Sequence, residues 1–308
     1  MGILVIGATF VDIKGFPYDN YLPTGRNAGR VEYVHGGVAR NVVEDIANVE
    51  LRPTFLSIVD DSPMGKAVIE KLNNHKVNTD YVLTRPDGMG TWLAVFDNNG
   101  DVAGSISKRP NMYPIAELLE EKGDEIFSKV PSVVLEVGLD KEIIKGTLSL
   151  AKKHNVKTFA LVANMSIAAE RRDLLQQFDC VICNQQEAGI LFLDDYEHKN
   201  PEEMRDILAE RIVAANIPSM VVTMGAEGAV YANQQGELGV CPAKKVHVKD
   251  TTGAGDSFCA GVAIGMTYGK TMAESVEIGT TLAASVITSS ENVCPRFRPE
   301  EFGLQVEN

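Results

Sequence analysis

Between residues 180 and 223 the chain reads Cys180-Val181-Ile182-Cys183, then a helical pattern keeping Met204, Ile207, Leu208 and Ile212 on one face, then Met220-Val221-Val222-Thr223. Two short, almost continuous apolar runs joined by an amphipathic helix are the pattern of parallel strands covered on both faces. The unit recurs outward along the chain. Ile3–Gly7, Thr54–Val59, Val133–Val137 and Thr158–Ala163 are further runs of this kind, and Ile144, Leu148 and Ala151 hold one face of a helix between two of them. This alternation predicts an α/β fold, a doubly wound and mostly parallel sheet flanked by helices. Such sheets bind ligands beyond the carboxyl ends of their strands. Residues just after each strand are therefore the first to read for function.

Two stretches break the alternation. Residues 10–34 are rich in Gly, Pro, Asn and Tyr, and residues 88–110 read as strand, turn, strand: Thr91–Phe96, Asp97-Asn98-Asn99-Gly100-Asp101, Val102–Ser107. Asn-Gly between two such runs is a hairpin signal. This reading divides the chain into a core of residues 1–9, 35–87 and 111–308 and a small β lid of residues 10–34 and 88–110. The lid's edges and apolar residues such as Trp92 need cover, which a homodimer through the lid would supply.

Composition narrows the function classes. Of 308 residues, 29 are Lys or Arg and 42 are Asp or Glu, a net charge of −13. That balance lacks the basic footprint of a nucleic-acid binder and is repelled by anionic lipid. An anionic substrate would have to be held by local donors. No apolar run reaches the roughly 18 residues of a membrane span. The chain enters Ile3-Leu4-Val5-Ile6 without a leader pattern, so the expected location is the cytoplasm. The five cysteines are odd in number and scattered, against a disulfide framework. Cys180 and Cys183 lie three apart on a strand and so point to opposite faces, which suits buried thiols better than a metal site.

The segment with most chemistry is Asp250-Thr251-Thr252-Gly253-Ala254-Gly255-Asp256-Ser257-Phe258. It follows a β-like run at Lys245–Val248 and leads into a helical stretch. Glycines at a helix N-terminus let backbone N–H groups converge on an anion, aided by the helix dipole. An aspartate there is a poor neighbour for phosphate unless it accepts a proton from the other reactant. The plainer reading is a tight turn with Asp256 in a first helical turn. A second glycine pair stands at Gly36-Gly37-Val38-Ala39-Arg40-Asn41, suited either to a polyhydroxylated ligand or to an ordinary helix entry. Asp12, Glu136, Asn184 and Glu187 each follow a strand, where a solvated cap is the commoner fate of any one of them. Gly269-Lys270-Thr271 ends like a P-loop, but Ile264 stands where that loop needs glycine. Gly269 as a helix cap and Thr271-Met272-Ala273-Glu274 as a capping box account for it.

Together these pieces resemble the PfkB/ribokinase family of carbohydrate kinases over nearly the whole chain. Asp250 to Asp256 carries the specific signature, and Gly36 to Asn41 the weaker N-terminal one. Asn184-Gln185-Gln186-Glu187 fits an N-x-x-E motif, and Thr223-Met224-Gly225-Ala226-Glu227-Gly228 fits a T-x-G-x-x-G turn. The resemblance implies transfer of phosphate from ATP to a primary hydroxyl of a sugar or nucleoside. Asp256 would be the base and Gly253, Ala254 and Gly255 the backbone anion hole. Asp12, Gly36, Gly37, Asn41 and Glu136 would hold the acceptor, and Asn184, Thr223, Gly225 and Gly228 the nucleotide. Glu187 would act indirectly on Mg²⁺, and Asp250 and Thr252 would lie at a monovalent cation such as K⁺. Phe10 stands where ribokinases carry a sugar-binding asparagine, and Arg40 is bulkier than their usual residue. The N-terminal half is similar to pseudouridine kinases, which makes pseudouridine the first acceptor expected, ahead of fructose or ribose. A non-catalytic sugar- or nucleotide-binding relative would lack the base or the glycines, and a dinucleotide enzyme would need a fingerprint that Ile6-Gly7-Ala8-Thr9-Phe10 does not supply.

Overall fold

The computed structural model describes residues 2–98, 100–162 and 169–306. Asn99 of the hairpin turn and Ala163 at the end of one expected strand lie outside them. The element order begins β1 (Leu4–Ile6), β2 (Phe10–Pro17), β3 (Gly29–Gly36), α1 (Val38–Asn48), β4 (Thr54–Val59), α2 (Pro63–Asn74), β5 (Val82–Thr84), β6 (Gly90–Phe96) and β7 (Val102–Lys108). It continues α3 (Tyr113–Phe127), β8 (Ser132–Glu136), α4 (Lys141–His154), β9 (Lys157–Leu161), α5 (Arg172–Leu175), β10 (Cys180–Asn184), α6 (Gln185–Phe192), α7 (Pro201–Ala214) and β11 (Ser219–Thr223). The C-terminal part holds β12 (Ala229–Asn233), β13 (Leu238–Cys241), α8 (Ala254–Thr267) and α9 (Met272–Val286).

Nine strands form the main sheet in the order β13-β12-β11-β10-β9-β8-β1-β4-β5. β11, β10, β9, β8, β1, β4 and β5 run parallel, and β12 and β13 close one edge antiparallel. Alternate residues serve opposite cores, as the period of two requires. Leu4, Ile6, Leu135, Val181 and Cys183 pack under one layer of helices; Ile3, Val5, Val134, Cys180 and Ile182 pack under the other. The two thiols of the C-x-x-C thus sit on opposite faces, both buried, and burial pushes Cys180 up to about 12. Helix starts follow local chemistry. Asn184, Asn200 and Thr271 each open a helix with a reciprocal capping box, and Ser62 caps α2 ahead of Pro63.

The second sheet has four strands in the order β3-β2-β6-β7. It reaches further along the chain than residue 34, because the β2–β3 ladder continues through Val11–His35 to Phe10–Gly36. Its far end is held by Phe16 stacked on Phe96 at 4.7 Å, with Arg30 4.3 Å above the Phe16 ring. One expectation fails. Residues 245–248 are not a strand; Pro242, directly after Cys241, has no N–H with which to extend the β13 ladder toward them.

Candidate active site

β2 leaves the main sheet just beyond β1 and carries Asp12; β8 ends at Glu136; α1 begins beside Gly37; α8 begins beside Gly253. The topology brings these four points together. Asn41, in the first turn of α1, donates from Nδ2 to Asp256 Oδ2 at 2.6 Å, across 215 positions of sequence. Asn41 Oδ1 is buried with no partner among the described residues. A buried acceptor without a donor is costly, so this oxygen is the natural partner of a ligand hydroxyl.

The carboxylates around it share one electrostatic neighbourhood. Burial pushes Asp256 up to about 7; the Asn41 bond and the Arg40 charge oppose this, while Glu136 and Asp12 add to it. Glu136 Oε2 accepts the Ala8 N–H at 2.9 Å. Burial raises Glu136, with that N–H and Arg109 acting the other way. Asp12 is likewise raised by burial and partly offset by Lys14 and Arg40. A methyl group on Gly36 would fall 2.3–2.5 Å from the Asp12 carboxyl atoms, so only glycine lets Asp12 sit there. Gly37 has φ 99°, a left-handed turn from strand to helix that disfavours any side chain.

At α8, Gly253 has φ 82°, and a Cβ there would meet the Asn292 carbonyl at 2.1 Å. Gly255 faces open space. The Ala254 N–H is spent on the Thr251 carbonyl at 3.2 Å and Ser257 N–H on the Gly253 carbonyl at 2.9 Å. Among the described residues the N–H groups of Gly255 and Asp256, in the first turn of α8, have no backbone acceptor, and they lie at the positive end of the helix. An anion and a proton acceptor are thereby offered adjacent places. Asp250 Oδ1 accepts the Thr252 N–H at 2.8 Å. Against the cost of burial, bonds from Thr252 and the charge of Lys14 hold Asp250 below the usual carboxylate range.

The remaining predicted residues gather along the neighbouring strand ends. A cleft of about 930 Å³ is lined by Asn184, Thr223 and Gly225 among others. Gly228 packs instead against the backbone of Cys241 to Ala243. Asn184 Oδ1 accepts the Glu187 N–H and Glu187 Oε2 accepts the Asn184 N–H, both at 2.8 Å. This pair is first a capping box. Glu187 keeps a second carboxylate oxygen for a ligand, and burial raises it against the bond from Asn184. Sequence reasoning missed Lys14, Asp45 and Arg109. Lys14 shares the inward face of β2 with Asp12 by strand alternation, a signal that was available. Asp45 is fully buried and accepts from Ser257 Oγ at 2.7 Å and the Cys294 N–H at 2.6 Å; no local pattern announces it.

A family model described as pfkB family carbohydrate kinase matches residues 2–294. Guanosine-inosine kinase of Exiguobacterium acetylicum is 34% identical over 295 residues, covering 94% of this chain and 95% of that protein. Pseudouridine kinase of Escherichia coli (strain K12) is 26% identical over 276 residues, covering 89% and 86%. Among solved structures, Arabidopsis thaliana ribokinase complexed with ribose and ATP superposes with a TM-score of 0.86 at 21% identity, covering 98% of each chain.

Proposed function

The chain belongs to the pfkB family of carbohydrate kinases, and on that premise we propose that it transfers the γ-phosphate of ATP to the primary hydroxyl of a ribonucleoside. The observation that carries this reading is the Asn41–Asp256 bond at 2.6 Å, with an orphaned Asn41 oxygen and two open amides beside it. Asp256 takes the proton of the acceptor hydroxyl as that oxygen bonds to γ-phosphorus and the bond to the bridging oxygen of ADP breaks. Asn41 holds the Asp256 carboxylate in place, and the Gly255 and Asp256 amides, with Gly253 shaping the turn, stabilise charge on the group in transit. Asp12, Asn41 Oδ1 and Glu136 pair with the sugar hydroxyls, Gly36 and Gly37 letting them approach. Asn184, Thr223 and Gly225 line the cleft for the nucleotide, and Gly228, packed against the backbone of Cys241 to Ala243, shapes the turn behind them.

Glu187 and Asn184 are the side chains suited to Mg²⁺, through water and phosphate rather than as a closed protein cage. Bound there, the ion would neutralise charge on the phosphates. Asp250, held as an anion beside Thr252, suits a monovalent cation such as K⁺. The small sheet acts as a lid that excludes water from the transfer. Its outer face presents one row of apolar side chains across all four strands, Tyr33, Ile13, Leu93 and Ile106, three of them exposed. A second copy of the chain is the partner proposed for it. The protein would work in the cytoplasm, and no helix among the described residues is long and apolar enough to cross a membrane.

The acceptor is narrowed by likeness and by chemistry. The relative at 34% identity is a guanosine-inosine kinase, which moves the first choice from pseudouridine to a 6-oxopurine nucleoside. Phe10, whose ring lies against Gly90, adds an apolar surface suited to a base. A site built to pair hydroxyls rejects analogues that lack them. ADP release should be measured across guanosine, inosine, pseudouridine, ribose and fructose. The expected order of kcat/KM puts guanosine and inosine first; a clear preference for ribose or fructose refutes the nucleoside assignment and leaves the kinase family intact.

A further inference from the structure

Arg40 is the largest of the fully buried side chains, 1% exposed in a protein whose other buried residues are mostly apolar. A guanidinium in that position must satisfy its donors or cost several kcal/mol of desolvation. It does so at one junction. Nη1 donates to Glu44 Oε2 at 2.6 Å, Nη2 to the His35 carbonyl, and Nε to the Gly36 carbonyl at 3.4 Å. Glu44, also 1% exposed, is completed by Lys71 from α2, an ion pair at 2.7 Å to its other oxygen. His35 and Gly36 are the last residues of β3, where the small sheet joins α1. The His35 carbonyl takes a second donor, Asn292 Nδ2 at 3.1 Å. The carbonyl of that same Asn292 lies against Gly253, at the anion site.

Three parts of the site therefore meet at the His35 carbonyl: the root of the small sheet, the helix that carries Asn41, and the loop that backs Gly253. We propose that Arg40 is a positioning residue for phosphoryl transfer. Its forked donors pin the root of the lid to α1 so that Asp12 and Asp256 face one acceptor. Its charge lies behind both carboxylates and favours their ionised forms. Lysine could supply the charge but not the fork, because one ammonium on a flexible stem does not bridge Glu44 and two backbone carbonyls in fixed geometry.

The charged groups acting on Asp256 are Arg40 on α1, Glu136 on β8 and Asp12 on β2, and Asp256 acts in turn on Asp45 of α1. Around Arg40 itself stand His35 on β3, Glu44 on α1 and, through Glu44, Lys71 on α2. Burial lowers His35 first, with the Arg40 and Lys71 charges adding to it and Glu44 opposing. Of these groups, Arg40 is the cation that acts on both Asp12 and Asp256. Removing it leaves Asp256 protonated to higher pH, so the acid limb of the rate profile moves up.

The inference rests on the reading of Asp256 as base, and its test has one arm that does not. Three variants of the full chain are compared: R40K, which keeps the charge and loses the fork; R40M/E44L, which replaces the buried pair by apolar side chains; and N292A. In R40K, kcat/KM for the acceptor should fall about 10- to 100-fold, as expected of a misplaced reactant. The KM for ATP should stay within about twofold, and the acid limb should not move. R40M/E44L should show the same loss with the acid limb shifted to higher pH. Amide exchange of residues 29–36 should accelerate in all three while β8 to β11 keep their protection, whatever the role of Asp256. Wild-type acceptor kcat/KM together with wild-type exchange at residues 29–36, in whichever of the three fold, overturns the proposal. Slower turnover with an unmoved acid limb in folded R40M/E44L removes the electrostatic half of it.

Discussion

The two sheets of this protein are stabilised in opposite ways. The parallel strands of the nine-stranded sheet are buried on both faces: Leu4, Val5 and Ile6 of β1 and Val133, Val134 and Leu135 of β8 are all 0% exposed. Leu4, Ile6, Val133 and Leu135 serve one core and Val5 and Val134 the other. Among the described residues no helix covers the outer face of the four-stranded sheet, where Tyr33 and Ile106 are 63% and 71% exposed. Asp12, one strand position from Ile13 and so on the other face, acts electrostatically on Asp256 of the candidate site, and Phe16, Phe96 and Arg30 stack at the far end. The lid role proposed for this sheet requires that it not be buried on both sides, because the buried area would hold it shut.

The largest effect should come from truncation. Leu135→Ala opens a cavity in a close-packed core and should cost about 2–5 kcal/mol of stability. Leu93→Ala, on the exposed face of the small sheet, should stay within about 0.5 kcal/mol. Chemical denaturation of both variants measures the contrast. Equal losses would mean that the outer face is covered within the monomer.

A second contrast is in pH dependence. Asp45, at the centre of the α1–α8 contact, is pushed up to about 7, chiefly by burial, with the bonds from Cys294 and Ser257 opposing. A carboxyl whose folded value is raised binds its proton more tightly than in the unfolded chain, so stability falls as pH rises between about 4 and 7. Asp45→Asn should flatten that part of the stability curve and gain most over wild type near pH 8. Asp256 titrates with the same sign and leaves part of the slope. Melting temperatures at pH 5 and pH 8 decide it; an unchanged difference between them would place the proton elsewhere.

The smallest effect on the folded monomer should be that of Ile106→Lys. A charge in the outer apolar row should leave the melting curve of the monomer almost unmoved while separating the proposed dimer. Light scattering at several concentrations reads the outcome. Wild-type protein that is monomeric throughout removes the second copy as the partner of that face.

The same contrast explains what could be read in advance. The parallel strands were legible because burial on both faces writes a continuous apolar run. Lys245 to Val248 imitates a strand by alternation, yet Val246 and Val248 are 38% and 52% exposed, without the burial that a strand of the main sheet has. The candidate site could be expected from sequence where its parts are local, as in Gly253 to Asp256 and Gly36 to Asn41. The Asn41–Asp256 bond joins residues 215 positions apart, and Arg40 serves backbone carbonyls, which any residue offers. Neither leaves a mark in the sequence beyond a bulky residue where a small one was expected.

The central claim is that Asp256, presented by the first turn of α8 and held by Asn41, removes the proton of an acceptor placed under the small sheet. The most direct measurement is single-turnover phosphoryl transfer by Asp256→Asn, with ATP binding determined separately by calorimetry. Asparagine preserves the shape and cannot accept the proton, so transfer should slow by about 10²- to 10⁴-fold while ATP affinity and the melting temperature at pH 6 stay close to wild type. Transfer at a rate near wild type in a folded variant would contradict the account.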